Sequence, residues 1–179
     1  MNKLKINLIS CMLIFLVGCN GGRKDSKLHF FTSIESSYAY QNDLTPSVAW
    51  SGEAYSGNYV CRLDSATPYS VTFSMKMYKI TGKQLKSVSV KAWVNMSAMT
   101  SDPMLVVDIK DSTDQSIEWL SRSAKDFVGE PNHWEEVEFK VNLTEKQRNR
   151  SSNSLRIYLM NTKKDFALVD DIEVSFEEN

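Results

Sequence analysis

Three flat rings and two cations stand where a ligand could use them. Trp93 lies two residues from Lys91, and Tyr158 two residues from Arg156; Trp119 is the third ring. Rings beside polar side chains suit a sugar, whose apolar face lies on an aromatic ring while its polar edge needs donors and acceptors. The competing reading is that such rings merely cover a sheet face beneath a loop. No catalytic residue stands out. The chain holds 2 histidines, His29 and His133, far apart in sequence. It has no Gly-x-Ser-x-Gly, His-x-x-x-His or Cys-x-x-Cys spacing. A carboxylate pair can hydrolyse a glycosidic bond, but 22 acidic residues do not single one out. The chain is therefore read as a non-enzyme, with a small polysaccharide lyase or hydrolase as the less favoured alternative.

The elements that must carry these rings are strands. Apolar residues alternate with polar ones at Val71–Met77, Val88–Val94, Leu105–Ile109, Val137–Val141, Leu155–Leu159 and Ile172–Phe176. Period-two alternation marks a strand with one buried face. Shorter candidates are Leu28–Phe31, Tyr59–Leu63 and Ile117–Ser121. Turn residues separate them, as at Thr81-Gly82 and Ser101-Asp102-Pro103. About nine short strands of this kind predict an all-β antiparallel sandwich or barrel. The same parity aims Trp93 outward with Ser89 and Lys91, and Tyr158 outward with Arg156. Trp119 shares its parity with Ile117, which leaves its direction open. Tyr38, Tyr40, Trp50 and Tyr55 lie in a loop-rich stretch able to rim a site. The basic cluster Lys146–Arg150 is expected as a solvated loop, or as one helical turn capped by Thr144.

Residues 1–18 have the parts of a secretory signal. Lys3 and Lys5 precede the apolar run Ile6–Val17, which ends at Gly18-Cys19. That run is far shorter than the roughly 20 residues a spanning helix needs. A small residue followed by Cys19 resembles the lipobox of bacterial lipoproteins. The resemblance implies cleavage before Cys19 and lipid (diacylglycerol and a palmitate-type acyl group) on that residue, which gives stable anchoring when two or more chains are attached. Residues 19–27 are polar and Gly-rich, a flexible tether, and residues 28–179 form one domain. Asn20 is not the Asp of an inner-membrane retention signal, so the expected location is the cell envelope, on the outer membrane, with the exposed side left open. With Cys11 removed and Cys19 lipidated, Cys61 has no partner for an intramolecular disulfide and is expected as a buried core thiol. A formal net charge of −1 gives no electrostatic case for nucleic acid.

Phe30–Ser36, Trp50–Val60, Tyr78–Gly82 with Val88–Val94, Trp134–Phe139 and Leu168–Val174 together resemble the galactose-binding-like jelly rolls that serve as carbohydrate-binding modules in bacterial polysaccharide-degrading systems. The resemblance runs from Phe30 to Phe176 and is strongest in the Asp170-Asp171-hydrophobic strand. It implies that Trp134 is a core residue. It also implies a structural Ca²⁺ between the first and last strands, held by Glu35 with Asp170 or Asp171; hard oxygen ligands suit that ion. The function expected is a non-catalytic carbohydrate-binding lipoprotein, with Trp93, Tyr158, Arg156, Lys91 and Trp119 as ligand-binding residues. The partners expected are a glycan or polysaccharide and the membrane. The alternative is an envelope scaffold that uses the sandwich to bind another protein.

Overall fold

A computed structural model describes residues 28–35, 48–50, 53–148 and 152–179. The signal sequence, Cys19, the tether, Tyr38 and Tyr40 lie outside the described residues, as does the side chain of Trp50. Ten strands are described: β1 (Leu28–Thr32), β2 (Val48–Trp50), β3 (Tyr59–Leu63), β4 (Phe73–Lys76), β5 (Leu85–Met96), β6 (Met104–Lys110), β7 (Ser116–Ser123), β8 (Trp134–Asn142), β9 (Ser154–Met160) and β10 (Ala167–Glu178). The helical elements are single turns: α1 (Met77–Ile80), a 3-10 turn (Ala124–Asp126) and α2 (Glu145–Arg148). The strands form two antiparallel sheets. The first runs β2-β3-β10-β5-β8 with β1 also paired to β10, and the second runs β4-β9-β6-β7. This is the sandwich, of the two architectures the alternation allows, and it agrees with the jelly roll that the resemblance implies.

The alternation decides what lies between the sheets. Val88, Val90 and Val94 of β5 face inward, as do Val107 and Ile109 of β6 and Ile157 of β9, all fully buried. Branched side chains of this kind pack well on a pleated surface. Phe73 of the second sheet meets Phe30 and Phe176 of the first, with ring centroids 5.0 and 5.7 Å away. Cys61 is buried among them, on β3. One expectation fails at Met77. The polar-apolar rhythm continues through it, yet the chain leaves the strand there and turns into α1, with Met77 still buried. Its N–H still donates to Asn153 O at 2.9 Å, one step further along the β4–β9 register, so the ladder makes one last bond before the chain turns away.

β10 organises the first sheet. One edge pairs with β5 along its length, and the other is shared end to end by β3, at Ala167–Val169, and β1, at Ile172–Phe176. Between those partners the register shifts at Asp170/Glu173, a bulge, and Asp171 takes φ 47°. The acidic pair therefore sits inside a strand and does not open one.

Candidate functional site

The outer face of the second sheet gathers three of the five residues expected to bind ligand. β6 places Asp108 opposite Trp119 of β7 and opposite Arg156 of β9, and Val106 opposite Tyr158. Trp119 and Tyr158 are thereby neighbours on one surface, and Trp119 Nε1 donates to the Tyr158 hydroxyl at 3.2 Å. Tyr69, which bridges Met160, adds a third ring edge-on to Tyr158, 5.7 Å between centroids. Trp119 and Tyr69 are 44% and 53% exposed, so their rings are available from solvent. Val106 is buried beneath this face.

The polar rim is already charge-balanced. Arg156 donates to both carboxylate oxygens of Asp114, at 2.8 and 2.9 Å. Lys110 lies 3.4 Å from Asp108, which is buried and also accepts from Ser116 Oγ at 2.5 Å. Burial pushes the Tyr158 phenol above its ordinary pKa, against the opposing hydrogen bond from Trp119. The phenol stays neutral, and its own O–H remains able to donate to a ligand hydroxyl. Sequence reasoning missed Tyr69, Asp108 and Asp114. Tyr69 follows a proline in a turn and reaches Tyr158 only through tertiary pairing, which no periodicity reports.

Trp93 and Lys91 point outward as expected, but from the first sheet, on the opposite side of the sandwich. The five residues do not form one site. Tyr55 stacks on Trp93 with centroids 3.9 Å apart and planes 11° from parallel, so one face of Trp93 is covered. Trp134 meets Tyr55 edge-on at 5.9 Å and donates from Nε1 to Glu53 O at 3.2 Å. The core position expected for Trp134 is thus corrected: its register with Asn95 puts it on the outer face, half-buried. Lys91 is held by Glu136 at 3.3 Å and Glu138 at 3.8 Å, and the hydrogen bond to Glu136 raises its pKa.

The three acids expected at a metal site share one corner. Asp170 Oδ2 accepts from Ser56 N–H at 3.1 Å, and Asp171 Oδ1 accepts from Ser56 Oγ at 2.7 Å. Glu35 Oε1 accepts from the N–H groups of Asn58 and Tyr59, both at 2.6 Å. Between them Gly57 has φ 63°, and a Cβ there would lie 2.4 Å from Glu35 Oε1, so only glycine leaves the carboxylate room. Asp170 is fully buried, which pushes its pKa to about 6 despite the backbone bonds that oppose the shift. No basic side chain pairs with Asp170 or Asp171 among the described residues. These oxygens fit a hard cation in kind. As placed, Glu35 and Asp170 are aimed at backbone N–H groups and Asp171 at the Ser56 hydroxyl, and among the described residues no three acidic, His or Cys side chains converge on one point.

No protein-family model matches the sequence, and no curated protein matches it. Solved structures do share its architecture. The CBM22-1 xylan-binding domain from Paenibacillus barcinonensis Xyn10C superimposes with a TM-score of 0.54 at 16% identity, over 86% of this chain and 96% of that domain. The xylan-binding module CBM15 gives 0.54 at 9% identity, over 86% and 99%. The β-sandwich fold is one this chain shares with these modules. The CBM22-2 xylan-binding domain from the same Paenibacillus protein agrees, with a TM-score of 0.53 at 11% identity over 83% of this chain and 99% of that domain. At these identities the module likeness is one of backbone, and the side chains above have to be judged on their own geometry.

Proposed function

We propose that this chain is a non-catalytic carbohydrate-binding lipoprotein of the cell envelope, and that it presents the outer face of the second sheet to a polysaccharide. The observation that carries the reading is the exposed platform of Trp119, Tyr158 and Tyr69, built on a sandwich whose structural neighbours include xylan-binding modules. The paired cations Arg156 and Lys110 leave no net positive charge on that face, which favours a neutral glycan such as xylan over an acidic one. Affinity electrophoresis of the full chain in gels containing neutral and acidic polysaccharides tests this. Retardation by a neutral polysaccharide supports the reading. No retardation by any of them, together with a stable co-purifying protein, would favour the envelope scaffold.

Anchoring rests on Cys19. The chain is expected in the outer-membrane fraction, and Cys19→Ala in the soluble fraction; an unchanged distribution would sink the lipoprotein reading. A structural Ca²⁺ is the cofactor that goes with this reading, taken by Asp170 and Asp171 with Glu35. At a Ca²⁺ concentration about 100-fold above Kd, linkage adds about 2.7 kcal/mol, which raises Tm by about 5–10 °C in a domain of this size. The same Tm in EDTA and in Ca²⁺, or a rise that survives Asp171→Asn, argues against it.

A further inference from the structure

The sequence presents Lys146–Arg150 as a solvated loop or as one helical turn capped by Thr144; the structure forms the turn as α2, and buries Gln147 in it. Thr144 and Gln147 cap α2 reciprocally: Thr144 N–H donates to Gln147 Oε1 at 2.6 Å, and Gln147 N–H to Thr144 Oγ1 at 3.4 Å. Gln147 is buried and also bonds Glu118, and Asn153 Nδ2 donates to its carbonyl at 3.4 Å. The turn is therefore fixed, and it holds Arg148 at the wall of a cavity of about 270 Å³ between α1, α2 and the start of β5. Nε of Arg148 is buried and has no hydrogen-bond partner among the described residues. Buried donors are nearly always satisfied, so an orphan of this kind calls for an explanation.

Among the described residues the lining contains two cations, Lys83 and Arg148, and no acid. The nearby carboxylate of Glu178 is already engaged by Lys83 Nζ at 3.0 Å and by the Thr81 hydroxyl. Among the described residues no carboxylate pairs with Arg148, whose planar group suits one. Met77 and Leu85 give the cavity an apolar floor, and Tyr78, 54% exposed, puts a ring at its wall. Its size falls just below the roughly 300–1,000 Å³ of drug-sized ligand pockets, room for a single ring.

We propose that this cavity binds a small ring bearing one carboxylate, with the carboxylate on Arg148 and the ring against Tyr78. The site is separate from the aromatic platform and does not depend on it. A uronic acid and an aromatic carboxylate share this chemistry, and the test separates them. The full chain is titrated calorimetrically with galacturonate, benzoate and glucose. Saturable binding of galacturonate or of benzoate, but not of glucose, is expected, and whichever binds identifies the source. Arg148→Gln should weaken it by about tenfold to a hundredfold, the range for one charged hydrogen bond. Tyr78→Ala, at an exposed position, should weaken it without lowering Tm, and Trp119→Ala should leave it unchanged. Binding of neither carboxylate overturns the proposal and leaves a bridging water as the partner of Arg148. Equal binding of glucose, or unchanged binding in Arg148→Gln, overturns it as well.

Discussion

Trp119→Ala combined with Tyr158→Ala should weaken polysaccharide retention by at least about 100-fold. Each ring supplies apolar area at about 25 cal/mol per Å² and a further stacking contribution of about 0.5–1.5 kcal/mol. About 2 kcal/mol per ring, taken twice, exceeds two decades in affinity even with incomplete additivity. The two positions belong together because Trp119 Nε1 bonds the Tyr158 hydroxyl: either single variant also releases its neighbour. The double variant should therefore lose less than the sum of the singles. Affinity electrophoresis at several polysaccharide concentrations gives the three dissociation constants. Trp93→Ala is the control, because its ring lies on the other sheet under Tyr55. Retention that persists in the double variant and disappears in Trp93→Ala would move the site to the first sheet.

Phe73→Ala should cost about 3–5 kcal/mol of stability, the range for deleting a buried phenylalanine. Phe73 has no exposed surface and is the ring through which the second sheet touches Phe30 and Phe176 of the first. Its loss leaves a cavity between the two sheets, and Cys61 is the one cysteine among the described residues. Urea unfolding followed by tryptophan fluorescence measures the loss. A change below about 1 kcal/mol would mean that the sheets close over the gap or that the three rings do not pack as described. Glycan retention measured well below the lowered Tm should be intact, since Phe73 lies on the inner side of its sheet.

Much of the fold is legible in the residues because burial on one face imposes a period of two. Val88, Val90 and Val94 could only be strand residues facing a core, and Trp93 among them could only face out. Parity tells in from out, but it does not tell which sheet a strand joins. Trp93 and Tyr158 both face outward, and only the strand order puts the sandwich between them. The stacking of Tyr55 on Trp93 was hidden for a related reason, as it depends on the path of a loop. At Ala167–Asp170 four consecutive residues are buried, so alternation fails where the bulge begins. Arg148 was read by its charge and its basic neighbours, whereas its placement follows from the Thr144–Gln147 cap, a spacing visible in the sequence but outweighed by the polar surroundings.

The strand order also bears on how copies behave when crowded, as the proposed lipid anchor would crowd them. A sheet edge offers unpaired backbone groups to any neighbouring chain, and long flat edges invite aggregation. Among the described residues the strands that end the two sheets are β1, β2 and β8, and β4 and β7; β1 spans only 5 residues. β2 and β4 span 3 and 4 residues, too short to template much pairing. β8 is long, at 9 residues, but carries Glu135, Glu136, Glu138 and Lys140, and β7 carries Glu118 and Arg122. An approaching strand would have to bury or oppose those charges. The free edge of β10, which a single partner of ordinary length would leave half open, is closed by β3 and β1 laid end to end. A dense layer of such modules should therefore remain a layer of separate molecules, each with its aromatic face available.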